Sequence, residues 1–136
     1  MEKWLFVAGA SIFGMLGTAH LVYTFFGRRL HPFESAVTEA MKKGTLNITK
    51  DTTVWKAWKG FNASHSFAAL LIPGVYLPLA LFHLEVLHES TWLSTLPVVM
   101  GGIYLVLAKK YWFKVPFFGI LMATLCFVAA IVVRNL

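Results

Sequence analysis

Residues 4–26 read WLFVAGASIFGMLGTAHLVYTFF and are followed at once by Gly27-Arg28-Arg29. These 23 residues contain no charged side chain. A helix that crosses the hydrocarbon core of a bilayer needs about 20 apolar residues, so the run is long enough to span. It does not read as a cleaved secretory leader. Glu2 stands beside Lys3 where a leader has a basic cluster, and no small-residue cleavage site follows a short apolar core. The expectation is a retained span.

Three further apolar stretches lie downstream, at about 61–84, 92–108 and 115–133, with Lys109-Lys110 closing the third. The whole chain shares the bias. It has 136 residues, 58% hydrophobic and 13% charged, against about a quarter charged in soluble domains. A disordered chain is excluded, because too much apolar surface would stay wet. A soluble domain of this size would expose large apolar patches. The sequence therefore predicts an all-α membrane protein with a single membrane domain over residues 1–136. Its spans are expected to form a four-transmembrane-helix antiparallel bundle joined by short turns.

The net charge is +6, from 12 Lys and Arg against 6 Asp and Glu. In a soluble protein that excess would point to nucleic acid; here its distribution explains it. The loop over 27–60 carries Arg28, Arg29, Lys42, Lys43, Lys50, Lys56 and Lys59 against Glu34, Glu39 and Asp51. Lys109, Lys110 and Lys114 sit between the third and fourth spans, whereas the Glu85 to Ser90 turn has no Lys or Arg. Basic loops stay in the cytoplasm. The expected location is a bacterial inner membrane, with loops 27–60 and 109–114 cytoplasmic and both termini outside the cytoplasm. Trp4, Trp92 and Trp112 fall at span ends, as interfacial aromatics do. Membrane lipids and a homo-oligomer or larger membrane complex are the expected partners, and no nucleic acid is.

The first connection is too long for a plain bundle turn. Phe33, Ala36, Val37, Ala40 and Met41 recur at helical spacing, with Glu34, Glu39, Lys42 and Lys43 largely on the other side. This predicts a short amphipathic cytoplasmic helix ended by Gly44. It either lies on the headgroups or covers the bundle end. Thr49-Lys50-Asp51-Thr52 offers caps for the next helix, which is expected to begin near Asp51 and to run unbroken into the second span. Pro73 and Pro78 lie deeper in it and are expected to kink it.

Polar groups inside a bilayer are costly and raise a functional hypothesis by themselves. His20 lies eight residues before Arg28 and His65 six after Lys59. At 1.5 Å per residue these are roughly 12 Å and 9 Å inside the basic boundary. The two helices run in opposite directions, so the histidines reach nearly one level. Trp55, Trp58, Asn62 and His65 share one helix face, and His20 shares a face with Gly17, Tyr23 and Thr24. Gly14 and Gly17 would let a neighbour approach closely. The expectation is a polar pocket open to the cytoplasm that binds a small amphipathic or lipid-like ligand. Its catalytic candidates are His20 and His65, and its ligand-binding candidates are Tyr23, Trp58, Asn62 and Ser66. In a catalytic version a histidine would act as general base. The competing reading is a non-enzymatic accessory or structural subunit, in which the same groups only join helices by hydrogen bonds.

No metal or cofactor is expected. Haem b held by His20 and His65 is the alternative that two facing histidines raise. His83 and His88 with Glu85 and Glu89 read as a solvated turn, His31 as a headgroup contact, and Cys126 as a packing residue. There is no nucleophile elbow, no HExxH and no phosphate-binding glycine loop. No Asp or Glu occurs within a span core, which argues against a proton-coupled transporter.

The pattern His20-Leu21-Val22-Tyr23-Thr24-Phe25, followed by Trp55-Lys56-Ala57-Trp58-Lys59-Gly60-Phe61-Asn62-Ala63-Ser64-His65-Ser66, resembles a family of small bacterial four-span membrane proteins of unknown function. That resemblance implies the fold and the same polar cluster, and no activity. Length, four spans and a basic loop are also similar to the MAPEG family of trimeric, glutathione-dependent membrane enzymes. There the second span opens with an Arg-x-x-x-Asn-x-x-Glu pattern that binds glutathione. Asn62 matches the Asn, Trp58 stands in the Arg position and His65 in the Glu position. This resemblance implies a glutathione-dependent membrane transferase as a further alternative.

Overall fold

The computed structural model describes residues 1–136, and all regular structure in it is helical. The elements are α1 (Glu2–Phe25), α2 (Ser35–Lys43), α3 (Val54–Phe82), α4 (Leu84–Glu89), α5 (Thr91–Tyr111) and α6 (Lys114–Arg134). Helices α1, α3, α5 and α6 are each long and apolar enough to cross a membrane. The chain is an integral membrane protein with four spans. It divides into two compact units. One comprises Met1–Leu16 with Ala69–Leu136, and the other Gly17–Ala68.

In the first unit, hydrophobicity does not distinguish inside from outside. On α3, Leu71 and Val75 are exposed, while Ala69, Ile72, Tyr76 and Ala80 are buried. Both faces are apolar, as expected where lipid replaces water around a helix. Small residues and aromatic rings mark the interior instead. Phe127 of α6 is fully buried, with ring centroids of Phe6, Phe13 and Tyr76 at 6.1, 6.3 and 6.1 Å. Tyr104 meets Phe13 edge-on at 5.7 Å. The Tyr76 hydroxyl donates to the Leu93 carbonyl at 2.6 Å, giving a buried polar tip its partner.

Glycine sets how closely these helices approach. A Cβ on Gly14 would stand 3.3 Å from Cγ of Pro73, so α1 accepts the proline ring of α3 at the position where the sequence predicted a close neighbour. A Cβ on Gly101 would collide with the Thr124 side chain, so the glycine is what lets α6 approach α5 at this point. The ends of the unit are tied by polar contacts. Lys3 Nζ donates to the Leu81 carbonyl at 3.2 Å, which sets α1 against α3 in antiparallel sense. His88 Nε2 lies 3.0 Å from a Glu2 carboxylate oxygen. Arg134 Nη1 reaches the Leu87 carbonyl and the buried Ser94 hydroxyl, both at 2.9 Å.

The helix bounds depart from the sequence reading in definable ways. The Glu85 to Ser90 stretch, expected as a solvated turn, contains α4, and Ser90 then caps α5 by accepting from the Leu93 N–H at 3.2 Å. His88 pairs with Glu2 from the other end of the chain, a contact no local spacing reveals. Helix α3 begins at Val54, three residues after the expected start. Thr45 and Thr53 form an isolated antiparallel bridge, and the Val54 N–H donates to the Gly44 carbonyl at 2.9 Å. The bridge keeps Thr53 out of the helix and lets its hydroxyl accept from the Lys56 N–H at 3.3 Å, so Thr53 is the cap. Gly44 ends α2 with its N–H on the Ala40 carbonyl, yet its φ of −72° is ordinary extended backbone. The positive φ belongs to Gly27, at +90°, where the chain turns out of α1 just before the two arginines. Pro73 and Pro78 are both accommodated within α3, which runs as one helix from Val54 to Phe82.

Candidate functional site

The polar residues singled out from the sequence lie in the second unit, Gly17–Ala68. It contains the C-terminal turns of α1, the connection with α2, and the N-terminal half of α3. Its centre is Asn62. The Asn62 amide nitrogen donates to the Trp58 carbonyl one turn earlier, at 2.8 Å. Its side-chain oxygen lies 2.9 Å from His20 Nε2 on α1. With the amide oriented by that network, Nε2 is the nitrogen that carries the proton, and in the neutral ring the lone pair is on Nδ1. Asn62 thus bridges two antiparallel helices and selects a tautomer of His20.

His65, one turn beyond Asn62, meets His20 edge-to-face with ring centroids 5.1 Å apart. Both rings are half-buried. The surrounding hydroxyls serve the backbone. Thr24 donates to the His20 carbonyl at 2.8 Å and Ser66 to the Asn62 carbonyl at 2.9 Å, and both residues are buried. Ser66 therefore touches the cluster through main chain. Tyr23 belongs to a separate pair: Arg29 Nη1 donates to its hydroxyl at 3.0 Å while the guanidinium lies 4.8 Å from the ring centre. Lys59 lies similarly over Phe25, at 5.0 Å.

A second aromatic group joins His31 to the Trp55 and Trp58 that helical spacing puts on one face. Trp55 and Trp58 stack nearly parallel, 5.1 Å apart, and His31 stands edge-on to both, at 4.8 and 6.4 Å. The sequence reading left His31 to the headgroups. The structure places it against α3, more than twenty residues away in sequence, a contact that the helical spacing of α2 in between does not reveal.

No family model, no curated protein and no solved structure matches this chain. Its affinity is with small multi-span membrane proteins in general, through its four long apolar helices. The positions corresponding to the glutathione pattern hold no carboxylate: Asn62 is engaged at both ends within the chain, and His65 packs on His20. A porphyrin with its iron does not fit between two imidazoles in edge-to-face contact, one of which already donates Nε2–H to Asn62. No group of three or more His, Cys, Asp or Glu side chains is placed to hold a metal ion. What the arrangement offers chemically is two adjacent imidazoles on two apolar spans, able to give or accept a proton or a hydrogen bond. Arginine and lysine on aromatic faces stand at its rim in sequence.

Proposed function

We propose that this integral membrane protein uses the His20–Asn62–His65 cluster to bind the polar head of a small amphipathic, lipid-like molecule. In this reading it sits in a bacterial inner membrane, with the 27–60 segment cytoplasmic and both termini outside. The observation that carries the reading is the His20–Asn62 hydrogen bond with His65 edge-on. It concentrates costly ionisable groups at one level of two spans, and such groups in a bilayer are retained mainly where they do something. Arg29 on Tyr23 and Lys59 on Phe25 favour a ligand with an anionic head. Trp55 and Trp58, at the same end of α3 as Lys59, supply flat aromatic faces beside that head.

A second reading has its own support. Every buried side-chain nitrogen and oxygen already has a hydrogen-bond partner. That is the pattern expected of a structural subunit whose histidines join helices. One experiment separates the two. Wild type, His20→Ala and His65→Ala are purified in mild detergent and examined by native mass spectrometry and thermal unfolding, with and without added oleate. The ligand reading expects a copurified or oleate-dependent mass and a raised Tm in wild type, both lost in variants that remain folded. Large unfolding shifts in both variants, with no bound amphiphile in wild type, would establish the structural reading.

A further inference from the structure

Helix α2 is mounted with its apolar arc pointing away from the protein. Phe33, just before the helix, is fully exposed, and Ala36, Val37 and Ala40 are exposed beside it. The buried residue of α2 is Thr38, and Met41, at the edge of the apolar arc, is half-buried. At 100° per residue Thr38 points about 150° from the centre of the Ala36–Val37–Ala40 arc. A helix that faced only its own protein and water would do the opposite, burying Phe and Val and wetting Thr. The inversion is resolved if the arc meets a third medium.

The charges around it say which. The segment from Gly27 to Gly60 carries seven basic residues against three acidic ones. Of the basic ones only Lys42 is paired with a carboxylate, Glu39, at 2.7 Å. Arg28, Arg29 and Lys43 are exposed, and Lys43 falls at the edge of the arc by helical geometry. Phe25 and Phe26, at the end of α1, add exposed aromatic rings. Exposed apolar side chains in a segment whose cations mostly lack a carboxylate partner match the headgroup layer of an anionic bilayer. We propose that α2 is an interfacial anchor, whose Phe33–Val37–Ala40 arc enters the headgroup layer of an anionic lipid surface while Lys43 and Arg28 pair with lipid phosphates. This is independent of any ligand at His20 and His65.

The test uses the full chain with Cys126→Ser, spin-labelled singly at Val37→Cys, Ala40→Cys and Lys42→Cys. Samples are nanodiscs of phosphatidylcholine alone or mixed with phosphatidylglycerol, with helical content checked by circular dichroism. Collision of the label with oxygen, which concentrates in lipid, is compared with collision with a water-soluble nickel chelate. The expected oxygen-to-nickel ratio is several-fold higher at positions 37 and 40 than at 42, and higher in discs containing phosphatidylglycerol. Equal ratios at all three positions would place the arc in water and overturn the proposal. So would protection of 37 and 40 from both reagents, the result expected if a second copy or another protein covers the arc. A ratio indifferent to phosphatidylglycerol would overturn the anionic pairing.

Discussion

Asn62 is the residue on which the candidate site turns, because its hydrogen bond to His20 joins α1 to α3 at the centre of the second unit. Interhelical hydrogen bonds in membranes contribute about 0.6 kcal/mol on average and up to about 2 kcal/mol. A double-mutant cycle over His20→Ala and Asn62→Ala should give a coupling energy in that range, measured by unfolding in sodium dodecyl sulfate. A coupling of zero would mean that the pair contributes no net stability. Much of this residue-scale picture is legible in the sequence, since counting from Arg28 and Lys59 brings His20 and His65 to nearly one level and helical spacing puts Asn62 on the His65 face. The approach of His31 to Trp55 and Trp58, and of Arg134 to Ser94, is not. Both join residues far apart in sequence, and neither leaves a helical or alternating pattern to read.

Among the elements, α5 and α6 provide the sharpest contrast. Gly101 and Gly102 are neighbours, yet a Cβ at Gly101 meets the Thr124 side chain while a Cβ at Gly102 meets nothing within 4 Å. Thr124 has little freedom to move aside, because its hydroxyl donates to the Ile120 carbonyl at 2.7 Å. Gly101→Ala should therefore destabilise by about 1–3 kcal/mol through overpacking. Gly102→Ala should stabilise by up to about 1 kcal/mol through helix propensity. Thermal unfolding of the two variants in one detergent checks the opposite signs. Helix α2 carries a pH-dependent element of its own. The Lys42 ammonium, hydrogen-bonded to Glu39, holds that carboxyl below its ordinary value of 4.5. The pairing is thus fully present above the ordinary value and is lost as pH falls through the lowered one. Carbon-13 NMR of the Glu39 carboxyl should show a depressed midpoint that rises in Lys42→Ala. The four long helices were legible because an uncharged run of span length has few alternatives. Helix α4 was not, because six residues between two spans are too few for a period to emerge. The start of α3 was misplaced because the Thr45–Thr53 bridge, a tertiary contact, overrides the local capping residues.

For the whole molecule, the distribution of charge is the main argument for orientation. The 27–60 segment carries seven of the 12 Lys and Arg residues, and 109–114 carries three more. Positively charged short loops are retained in the cytoplasm, so a C-terminal alkaline phosphatase fusion after Leu136 should be active in a bacterial host. A green fluorescent protein fused at the same point should be dark. Removing one basic loop should not invert the protein. With Lys109, Lys110 and Lys114 all replaced by alanine, Arg28, Arg29, Lys42, Lys43, Lys50, Lys56 and Lys59 still mark the other connection. Retention of phosphatase activity in that triple variant is the expected result. Fluorescence at the C-terminus of the unaltered chain would reverse the orientation. It would also place the His20–Asn62–His65 cluster and α2 on the opposite leaflet, where anionic headgroups need not be the surface that α2 meets.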